Sequence, residues 1–472
     1  ATTGTDKSMS DKMNIVFILS DDQGIWANGC YGNPEIRTPN IDRLAATGMR
    51  FDNFFVATPV CSPSRATFLT GRISSQHGVH DWIREGNTGA DAALYLEDEV
   101  AYTDVLAEHG WRCGLSGKWH LGHSQIAQHG FDHWFVHQSG GGEYNDAPMI
   151  RDGELIKAPG YVTTAITDDA LEYIDRSAER AEPFYLSVHY TAPHSPWTSH
   201  PQDIVDSYDD CAFDSCPQED MHPWAVGHPL SEGCLGNREM LKGYFAAVTA
   251  MDLEIGRLLD RLEEKGLREQ TLVVFTSDNG FSCGQHGFWG KGNGTYPPNM
   301  YENSVKVPFV ISQPGAIEQG VVQREMVSAY DFMPTLLDYA GLPLPTGRNL
   351  PGQSFAPLLR GQGLGRDEVV VYDEYGGTRM LRTREWKYVH RYPDGPCELY
   401  DLVNDPDERV NRADDASQVE RIGAMRDQLE AWFARYVVPE RDGRDAPVRG
   451  SGQLRPIGGK WKDDPRAAFA EK

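Results

Sequence analysis

The chain has 472 residues, of which 40% are hydrophobic and 24% are charged. This length and apolar fraction are sufficient for one large domain with a buried core and a smaller second one. Lys and Arg number 44 against 69 Asp and Glu, a formal net charge of −25, which argues against binding nucleic acids or anionic membranes through the bulk surface. Any site for an anion must therefore be locally basic.

The N-terminal residues contain neither a membrane span nor the apolar segment of a signal peptide. If Met9 is the native start, we expect a cytoplasmic protein. A periplasmic or secreted protein whose signal peptide has been removed is the alternative, because its mature chain would look the same. The eight cysteines lack the paired CxxC spacing of zinc sites. In an oxidising compartment, one disulfide among Cys211, Cys216 and Cys234 is an option.

Apolar strands alternate with helical segments along most of the chain. The predicted strands cover residues 13–22, 183–194, 271–280 and 307–315, and the predicted helices cover residues 100–110, 163–179, 237–265 and 328–340. The first strand is an apolar run that ends abruptly in two carboxylates, as a buried parallel strand does at its carboxyl edge. This alternation predicts an α/β fold, with ligands bound where the strands end.

The sequence pattern changes after about residue 365. Short antiparallel strands are predicted within residues 368–376, 378–392 and 397–408, followed by a helix over 416–437. One face of that helix is apolar and comprises Val419, Ile422, Met425, Leu429, Trp432, Phe433 and Tyr436. We therefore predict a large α/β domain over 13–364, with a polar insertion at about 195–236, and a C-terminal α+β subdomain over 365–472.

Oxygen-bearing side chains follow two of the predicted strands. Asp21 and Asp22 end the first strand, and Asp278 and Asn279 end a strand about 250 residues later. If both edges converge, three carboxylates and an amide form a cage suited to Ca²⁺ or Mg²⁺. The alternative is that both pairs only open turns and cap helices.

The stretch PVCSPSRATFLTGR, residues 59–72, has the pattern of a helix start. Ser62 suits the N-cap and Pro63 the first helical position, which places Cys61 just ahead of the helix and Arg65 one turn along it. A helix N-terminus favours both an anion and a nucleophile. The alternative is an ordinary buried cysteine beside a helix cap.

Further cationic side chains occur near predicted strand ends. GLSGKWHLG supplies Lys118 and His120, TAPHSPW supplies His194, and a glycine-rich loop after the second acidic pair supplies Lys291. Taken singly, each is typical of a solvated charge or a satisfied histidine. Together they occur in the order that a composite site at the strand ends needs.

These segments resemble the type I sulfatases of the alkaline phosphatase superfamily. CSPSR followed by ATFLTGR is similar to the family signature, and SDDQG, GKWHLG, PHSP and SDNG are similar to its other markers, in the family's order. The resemblance covers residues 13 to 400 and includes LYDLVNDPDE in the C-terminal part. It implies an alkaline-phosphatase-like, mostly parallel mixed sheet between helices, and the hydrolysis of sulfate esters.

The resemblance also implies a cofactor and a maturation partner. In this family the signature cysteine is oxidised to Cα-formylglycine by a formylglycine-generating enzyme, which implies the same fate for Cys61. A calcium ion, with magnesium as the alternative, is implied at a set of ligands that comprises Asp21, Asp22, Asp278, Asn279 and the converted Cys61.

The resemblance implies one role for each remaining site residue. Lys118 and Lys291 would hold the sulfate oxygens, and Arg65 would hold the formylglycine. His120 would contact the second hydroxyl of the formylglycine hydrate, and His194 would protonate the leaving alcohol. This division agrees with the chemistry. Cations neutralise the negative charge on the sulfuryl oxygens. A histidine that donates a proton allows the leaving group to depart as an alcohol and not as an alkoxide.

The substrate is predicted by analogy and by two loops. His80, Trp82, Arg84, Glu302 and Asn303 follow catalytic segments and are candidates for the pocket lining, with ordinary loop packing as the alternative. Similarity to bacterial sulfatases that act on sulfated sugars favours a carbohydrate sulfate. The acidic surface disfavours a long groove for a polyanionic chain, so we expect a pocket for a small or terminal sulfated unit.

Two other functions remain as alternatives. One is a phosphonate monoester or phosphodiester hydrolase of the same superfamily, and the other is a catalytically silent carbohydrate-binding relative. The second is disfavoured because silence would normally remove part of the catalytic and metal-ligand set, and that set is intact in this sequence.

Overall fold

The computed structural model describes residues 12–363, 370–458 and 466–471. Most of the first stretch is built on one mixed sheet, apart from the short ribbon of β9 and β10. The strands, in chain order, are β1 (Asn14–Ser20), β2 (Met49–Phe55), β3 (Arg112–Gly117), β4 (Phe131–His137), β5 (Pro148–Arg151), β6 (Glu154–Lys157), β7 (Phe184–His189), β8 (Thr271–Ser277), β9 (Ser282–Cys283), β10 (Trp289–Gly290), β11 (Lys306–Ser312), β12 (Val321–Gln323) and β13 (Val327–Ser328).

The centre of the sheet is parallel. Strands β8, β1, β7, β3 and β4 lie side by side in that order and run in the same direction. Antiparallel β11 extends the sheet beyond β8, and the antiparallel β5 and β6 extend it beyond β4. The carboxyl ends of the central strands therefore meet at one edge, where ligands of such sheets bind.

Helices cover both faces of the sheet. The α-helices of the described residues are α1 (Pro39–Ala46), α2 (Cys61–Thr70), α3 (Ser74–His77), α4 (Tyr102–Glu108), α5 (Val162–Ala178), α6 (Gln202–Asp206), α7 (Pro229–Cys234), α8 (Arg238–Glu264), α9 (Glu302–Val305), α10 (Phe332–Tyr339), α11 (Ala356–Leu359) and α12 (Val419–Tyr436). Helices α2, α4 and α10 lie on one face of the sheet, and α1, α5 and α8 lie on the other. In the described residues no helix is both long enough and apolar enough to cross a lipid bilayer.

Alternate residues of β1 point into two separate cores, as the period of a strand requires. Phe17 lies in a core that includes residues of α2, α4 and α10. Ile18 lies in the opposite core, with residues of α1, α5 and α8. Both faces of β1 are thus buried, which explains its continuous apolar sequence and fixes the position of the carboxylates that follow it.

A second sheet forms in the C-terminal part. Its antiparallel strands are β14 (Val371–Tyr375), β15 (Thr378–Arg382), β16 (Trp386–Arg391) and β17 (Glu398–Asp401). Helix α12 packs on it through Met425, Leu429 and Phe433. Val419, predicted on the apolar face, is instead 65% exposed because it is the first residue of the helix. The predicted start of β14 at 368 and the predicted boundary at 364–365 lie outside the described residues.

The structure confirms the predicted fold class, and each of the predicted strands and helices has a counterpart. All eight cysteines are free thiols, so none of Cys211, Cys216 and Cys234 is in a disulfide. The polar insertion folds around an aromatic cluster that includes Trp197, Tyr208 and Phe213. The elements without a counterpart among the predicted ones are strands β2 to β6, β9, β10, β12 and β13 and helices α1, α3, α6, α7, α9 and α11.

Candidate active site

The acidic pairs predicted at the strand ends meet at the edge of the sheet. Asp21 and Asp22 directly follow β1, and Asp278 directly follows the neighbouring β8. The backbone N–H of Asp22 donates to Oδ1 of Asp278 over 3.2 Å, and all three carboxylates are buried. Asp22 has a left-handed backbone with φ of 63°, a strained conformation of the kind that clusters at functional sites.

Helix α2 begins at Cys61 itself, two residues earlier than predicted. The flanking residue is Val60, in extended conformation, so Ser62 is not the N-cap and Pro63 is the third helical residue. Ser62 Oγ instead accepts a hydrogen bond from the backbone of Ile83 at 3.1 Å. The helix start therefore holds Cys61 against the acidic cluster, with its Sγ 3.6 Å from Oδ1 of Asp21.

The Cys61 thiol is poorly suited to act as a thiolate. Burial raises its pKa to about 12, even though Lys118 and Lys291 act in the opposite direction. Lys291 Nζ lies 2.8 Å from Sγ, yet this contact does not offset the loss of hydration. At neutral pH the side chain is therefore a protonated thiol, and direct nucleophilic attack by sulfur is disfavoured.

Three cations balance the three carboxylates. Lys118 Nζ lies 2.6 Å from Oδ2 of Asp21, and Lys291 Nζ lies 2.5 Å from Oδ1 of Asp22. Arg65 places Nη2 2.9 Å from Oδ2 of Asp278. The six groups carry equal numbers of positive and negative charges. A divalent cation added to this set would leave an excess of two positive charges at the base of the site.

The donor set fits a hard divalent cation. Oxygen atoms of Asp21, Asp22 and Asp278 lie within 4.8 Å of one another. Asn279 donates through Nδ2 to Oδ1 of Asp22 at 2.9 Å and to the carbonyl of Gly280 at 2.8 Å. Its Oδ1 is buried without a hydrogen-bond partner. An orphaned amide oxygen beside three buried carboxylates is the arrangement that a bound cation would satisfy.

His120 is held as a neutral ring with a free acceptor. Burial, assisted by Lys118, lowers its pKa well below the usual value. Nε2 donates to the carbonyl oxygen of Ile83 at 2.7 Å, since a carbonyl can only accept. The neutral ring therefore leaves Nδ1 as an acceptor, and that atom is buried without a partner. A Cβ at Gly140 would lie 2.3 Å from the ring, so only glycine allows this close approach.

His194 is oriented for a different task. Its Nδ1 lies 2.7 Å from the carbonyl oxygen of Ser195, which requires Nδ1 to be the donor. A second proton on the ring would therefore be on Nε2, which lies 3.7 Å from Oδ2 of Asp22. His194 also lines the cavity described below, so the proton on Nε2 would be available to a bound molecule.

A cavity of about 750 Å³ opens above these groups. Asp22, Cys61, His120, His194 and Lys291 contribute to its floor. Its walls combine aromatic, polar and cationic side chains, which include Trp82, Trp224, Tyr296, Asn293, Thr295, Arg84 and Arg449. Both the volume and the mixture of apolar faces with a few polar groups are typical of a small-molecule site.

Two of the five residues predicted to line the pocket reach it. Trp82 and Arg84 line the cavity, whereas His80, Glu302 and Asn303 do not. His80 is buried, with Nε2 2.8 Å from the carbonyl oxygen of Arg441. Glu302 begins helix α9 and forms ion pairs with cations of β15 and β16. Glu302 therefore belongs to the contact between the large domain and the second sheet, and Asn303 is the next residue of the same helix.

Several cavity residues were not anticipated from the sequence. They are Ser139 to Gly142, Trp224, His228, Tyr296 and the C-terminal Arg449 to Ser451. The run of three glycines at 140–142 was a signal for a close backbone approach. Trp224 was a second signal, because it is an aromatic residue in a polar insertion. No local pattern marks Arg449, whose position depends on the path of the chain after α12.

Family models match nearly the whole chain. The model described as "Sulfatase" matches residues 13–342. The model described as "N-sulphoglucosamine sulphohydrolase, C-terminal" matches residues 284–434. The first covers the sheet and its helices, and the second extends through the C-terminal sheet and α12.

Individual relatives agree with these matches. An N-acetylglucosamine-6-O-sulfatase of Bacteroides thetaiotaomicron is 28% identical over 91% of this chain and 88% of its own. An ulvan-active sulfatase of Formosa agariphila is 32% identical over 85% of this chain and 77% of its own. A solved structure of a protein in complex with its substrate D-glucosamine-2-N,6-O-disulfate superposes with a TM-score of 0.76. It is 27% identical and covers 92% of this chain and 99% of that one.

Proposed function

The chain belongs to the sulfatase family of sulfuric ester hydrolases, and we propose that it hydrolyses the sulfate ester of a carbohydrate through a formylglycine made from Cys61 and a bound calcium ion. The observation that carries the proposal is the position of Cys61. It starts a buried helix at the floor of a cavity, beside three carboxylates, two lysines and two histidines.

Conversion of Cys61 would supply the second hydroxyl that a cysteine side chain lacks. A formylglycine hydrate supplies one hydroxyl that attacks sulfur and a second that is needed to expel the sulfate. A divalent cation held by Asp21, Asp22, Asp278 and Asn279 would make the attacking hydroxyl more acidic and neutralise sulfuryl charge. We propose Ca²⁺ over Mg²⁺, because Mg²⁺ tends to retain several waters whereas this cluster is buried and supplies its oxygens from side chains.

The remaining side chains divide the work by position. Lys118 and Lys291 border the cluster as buried ammonium groups that can transfer from carboxylate to sulfuryl oxygens. Arg65 stays paired to Asp278 and keeps the base of the site positive. His120 presents the unprotonated Nδ1 as an acceptor for a hydroxyl, and His194 presents Nε2 to the leaving oxygen.

The side chains of the cavity walls favour a saccharide as the alcohol component of the sulfate ester. Trp82, Trp224 and Tyr296 offer apolar ring faces, and Tyr296 remains 43% exposed at the mouth. Asn293 and Thr295 provide hydrogen-bonding groups beside them. A hydroxylated ring matches such a mixture. A volume of about 750 Å³ favours a small or terminal sulfated unit, in agreement with the family relatives named for sulfated sugars.

The assignment is tested by comparing three reporter esters that each carry one negative charge. With fully converted enzyme, kcat/KM for 4-nitrophenyl sulfate is expected to exceed that for bis(4-nitrophenyl) phosphate and 4-nitrophenyl phenylphosphonate by about 100-fold or more. Because the leaving group is shared, the ratio reports the preference for sulfur over phosphorus. A preference for either phosphorus ester would replace the sulfatase assignment with that of a phosphorus ester hydrolase.

The role of His194 is tested by the leaving group. His194→Ala should lower kcat/KM for an alkyl sulfate by about 100-fold or more, and should affect 4-nitrophenyl sulfate much less, because nitrophenolate leaves without a proton. The measurement is a plot of log kcat/KM against leaving-group pKa for the wild type and the variant, with a steeper slope expected for the variant. Equal losses across the series would show that His194 positions the substrate and is not the acid.

A further inference from the structure

The chain after helix α12 folds back to form one wall of the cavity. Residues 439–458 run beside the loop that follows α3, where Trp82 Nε1 donates to the carbonyl of Gly450 at 3.0 Å. Gln453 is buried, and its Oε1 accepts the backbone N–H of His80 at 2.8 Å. This segment lies beyond the matches to the family models, which end at residue 434. The wall therefore lies outside the part of the chain that the family models cover.

Two arginines meet at the cavity mouth, and neither has a carboxylate partner among the described residues. Arg84 and Arg449 both line the cavity and are exposed to it. The Arg84 guanidinium has one hydrogen bond, from Nη1 to the carbonyl of Ser451 at 3.5 Å. Within the described ranges, Arg449 has neither an ion pair nor a side-chain hydrogen bond. The cations on the cavity floor, by contrast, are all engaged by carboxylates.

The charge of the cavity mouth is opposite to that of the protein. Asp22 is the one carboxylate among the described lining residues, and Lys291 pairs with it at 2.5 Å. The two arginines therefore add uncompensated positive charge to the mouth of a protein whose net charge is −25. A guanidinium presents a planar fork of donors that matches an oxyanion, and two of them at one cavity mouth favour a second anionic group on the bound molecule.

We propose that Arg84 and Arg449 form a second anion subsite, and that the preferred substrate is a saccharide with another sulfate or a carboxylate beside the ester that is cleaved. This inference rests on the proposed function, because it assigns the first anion to the site at Cys61. It gives the C-terminal wall a role in specificity: the wall selects doubly anionic sugars, and the floor performs the reaction.

Competition against 4-nitrophenyl sulfate hydrolysis tests the subsite. The probes are N-acetylglucosamine-6-sulfate, with one anion; D-glucosamine-2-N,6-O-disulfate, with a second sulfate; and a glucuronic acid disaccharide of N-acetylglucosamine-6-sulfate, with a carboxylate. For the wild type, the inhibition constant of at least one doubly anionic probe is expected to be about tenfold lower than that of the first probe. The doubly anionic probe with the lower inhibition constant identifies whether the subsite binds a sulfate or a carboxylate.

The variants are Arg84→Gln, Arg449→Gln and the double variant. Each single change should reduce the preference for the doubly anionic probe, measured as the ratio of inhibition constants, by about three- to tenfold. In the wild type this preference should also decrease as the salt concentration is raised, because the contact between the arginines and the anion is exposed to solvent. Arg360→Gln is the matched control, because Arg360 is an exposed arginine at the end of α11 that does not line the cavity. In this control variant, the ratio of the inhibition constants of the singly and doubly anionic probes should equal that of the wild type.

Two outcomes overturn the subsite. One is a wild-type enzyme that binds the three probes equally, and the other is an equal loss for all three probes in the Arg variants. Failure of the proposed function would look different, because converted enzyme would then prefer a phosphorus ester to 4-nitrophenyl sulfate or hydrolyse neither. Thermal unfolding midpoints of the variants within the error of the wild type exclude misfolding as the cause of a changed ratio.

Discussion

Cys61→Ala is expected to lower kcat for sulfate esters by about five orders of magnitude, the size of loss that follows removal of a catalytic nucleophile. The cavity walls and the acidic cluster remain in this variant, so binding of the sugar should persist while turnover stops. The measurements are kcat with 4-nitrophenyl sulfate and the dissociation constant of a sulfated sugar, determined by calorimetry. Loss of both activity and binding would instead point to a collapse of the floor.

Cys61→Ser separates the two hydroxyl functions. A serine hydroxyl can attack sulfur and release one alcohol, but it has no second hydroxyl to expel the sulfate. We expect at most one nitrophenol per active site, followed by arrest. Sustained turnover by the serine variant would contradict the need for a hydrated aldehyde.

In the wild type, mass spectrometry of the peptide over residues 59–72 should find a species about 18 Da lighter than the cysteine form, and activity should scale with the fraction of that species.

The sequence predicted the floor of the site because its residues occur together in the order that a composite site at strand ends needs, and because that set resembles the markers of the sulfatases. Asp21 and Asp22 follow an apolar strand, Cys61 was expected just ahead of the helix that it starts, and Lys118 and His120 follow β3, a strand that was not predicted. Parallel strands deliver such residues to one edge, whatever the intervening length. The structure brings these predicted groups together, with contacts of 2.6 Å between Lys118 and Asp21 and 3.6 Å between Cys61 and Asp21.

The walls of the cavity could not be predicted in the same way. Loops and the segment after α12 form them, and their paths depend on tertiary contacts such as that between Gln453 and the backbone of His80. Proximity in sequence to a catalytic segment was a poor guide. His80 is buried although it lies two residues from Trp82, which lines the cavity. Glu302 forms ion pairs with Lys387 and Arg382 of the second sheet.

The electrostatics of the floor agree with the proposed cation. Three carboxylates and three cations cancel, and in this arrangement Lys118 and Lys291 are engaged by carboxylates at 2.6 and 2.5 Å. A divalent cation that takes over the carboxylates would free both ammonium groups for a sulfate ester and leave two net positive charges. The cation and the substrate therefore cooperate through the same lysines, and loss of one carboxylate should affect both.

Asp278→Asn is expected to weaken cation binding strongly and to lower kcat/KM by about three orders of magnitude at a cation concentration that saturates the wild type. The change keeps the size of the side chain and an oxygen acceptor for Arg65, but removes one of three buried charges beside the orphaned amide oxygen of Asn279. We expect the apparent Kd for Ca²⁺ to rise at least about 100-fold, which corresponds to about 2.7 kcal/mol.

The thermal unfolding midpoint, Tm, measures cation binding without depending on activity. A cation that binds only the folded state at about 100 times its Kd stabilises the wild type by about 2.7 kcal/mol, and the Asn variant should lose nearly all of that gain at the same concentration. Asp260→Asn is the control, because Asp260 pairs with Arg43 at 2.9 Å on the surface of α8. If Asp278→Asn keeps both the cation-dependent rise in Tm and the activity, then the cluster does not hold the cation. If Mg²⁺ raises the Tm of the wild type at lower concentrations than Ca²⁺, the site is selective for magnesium.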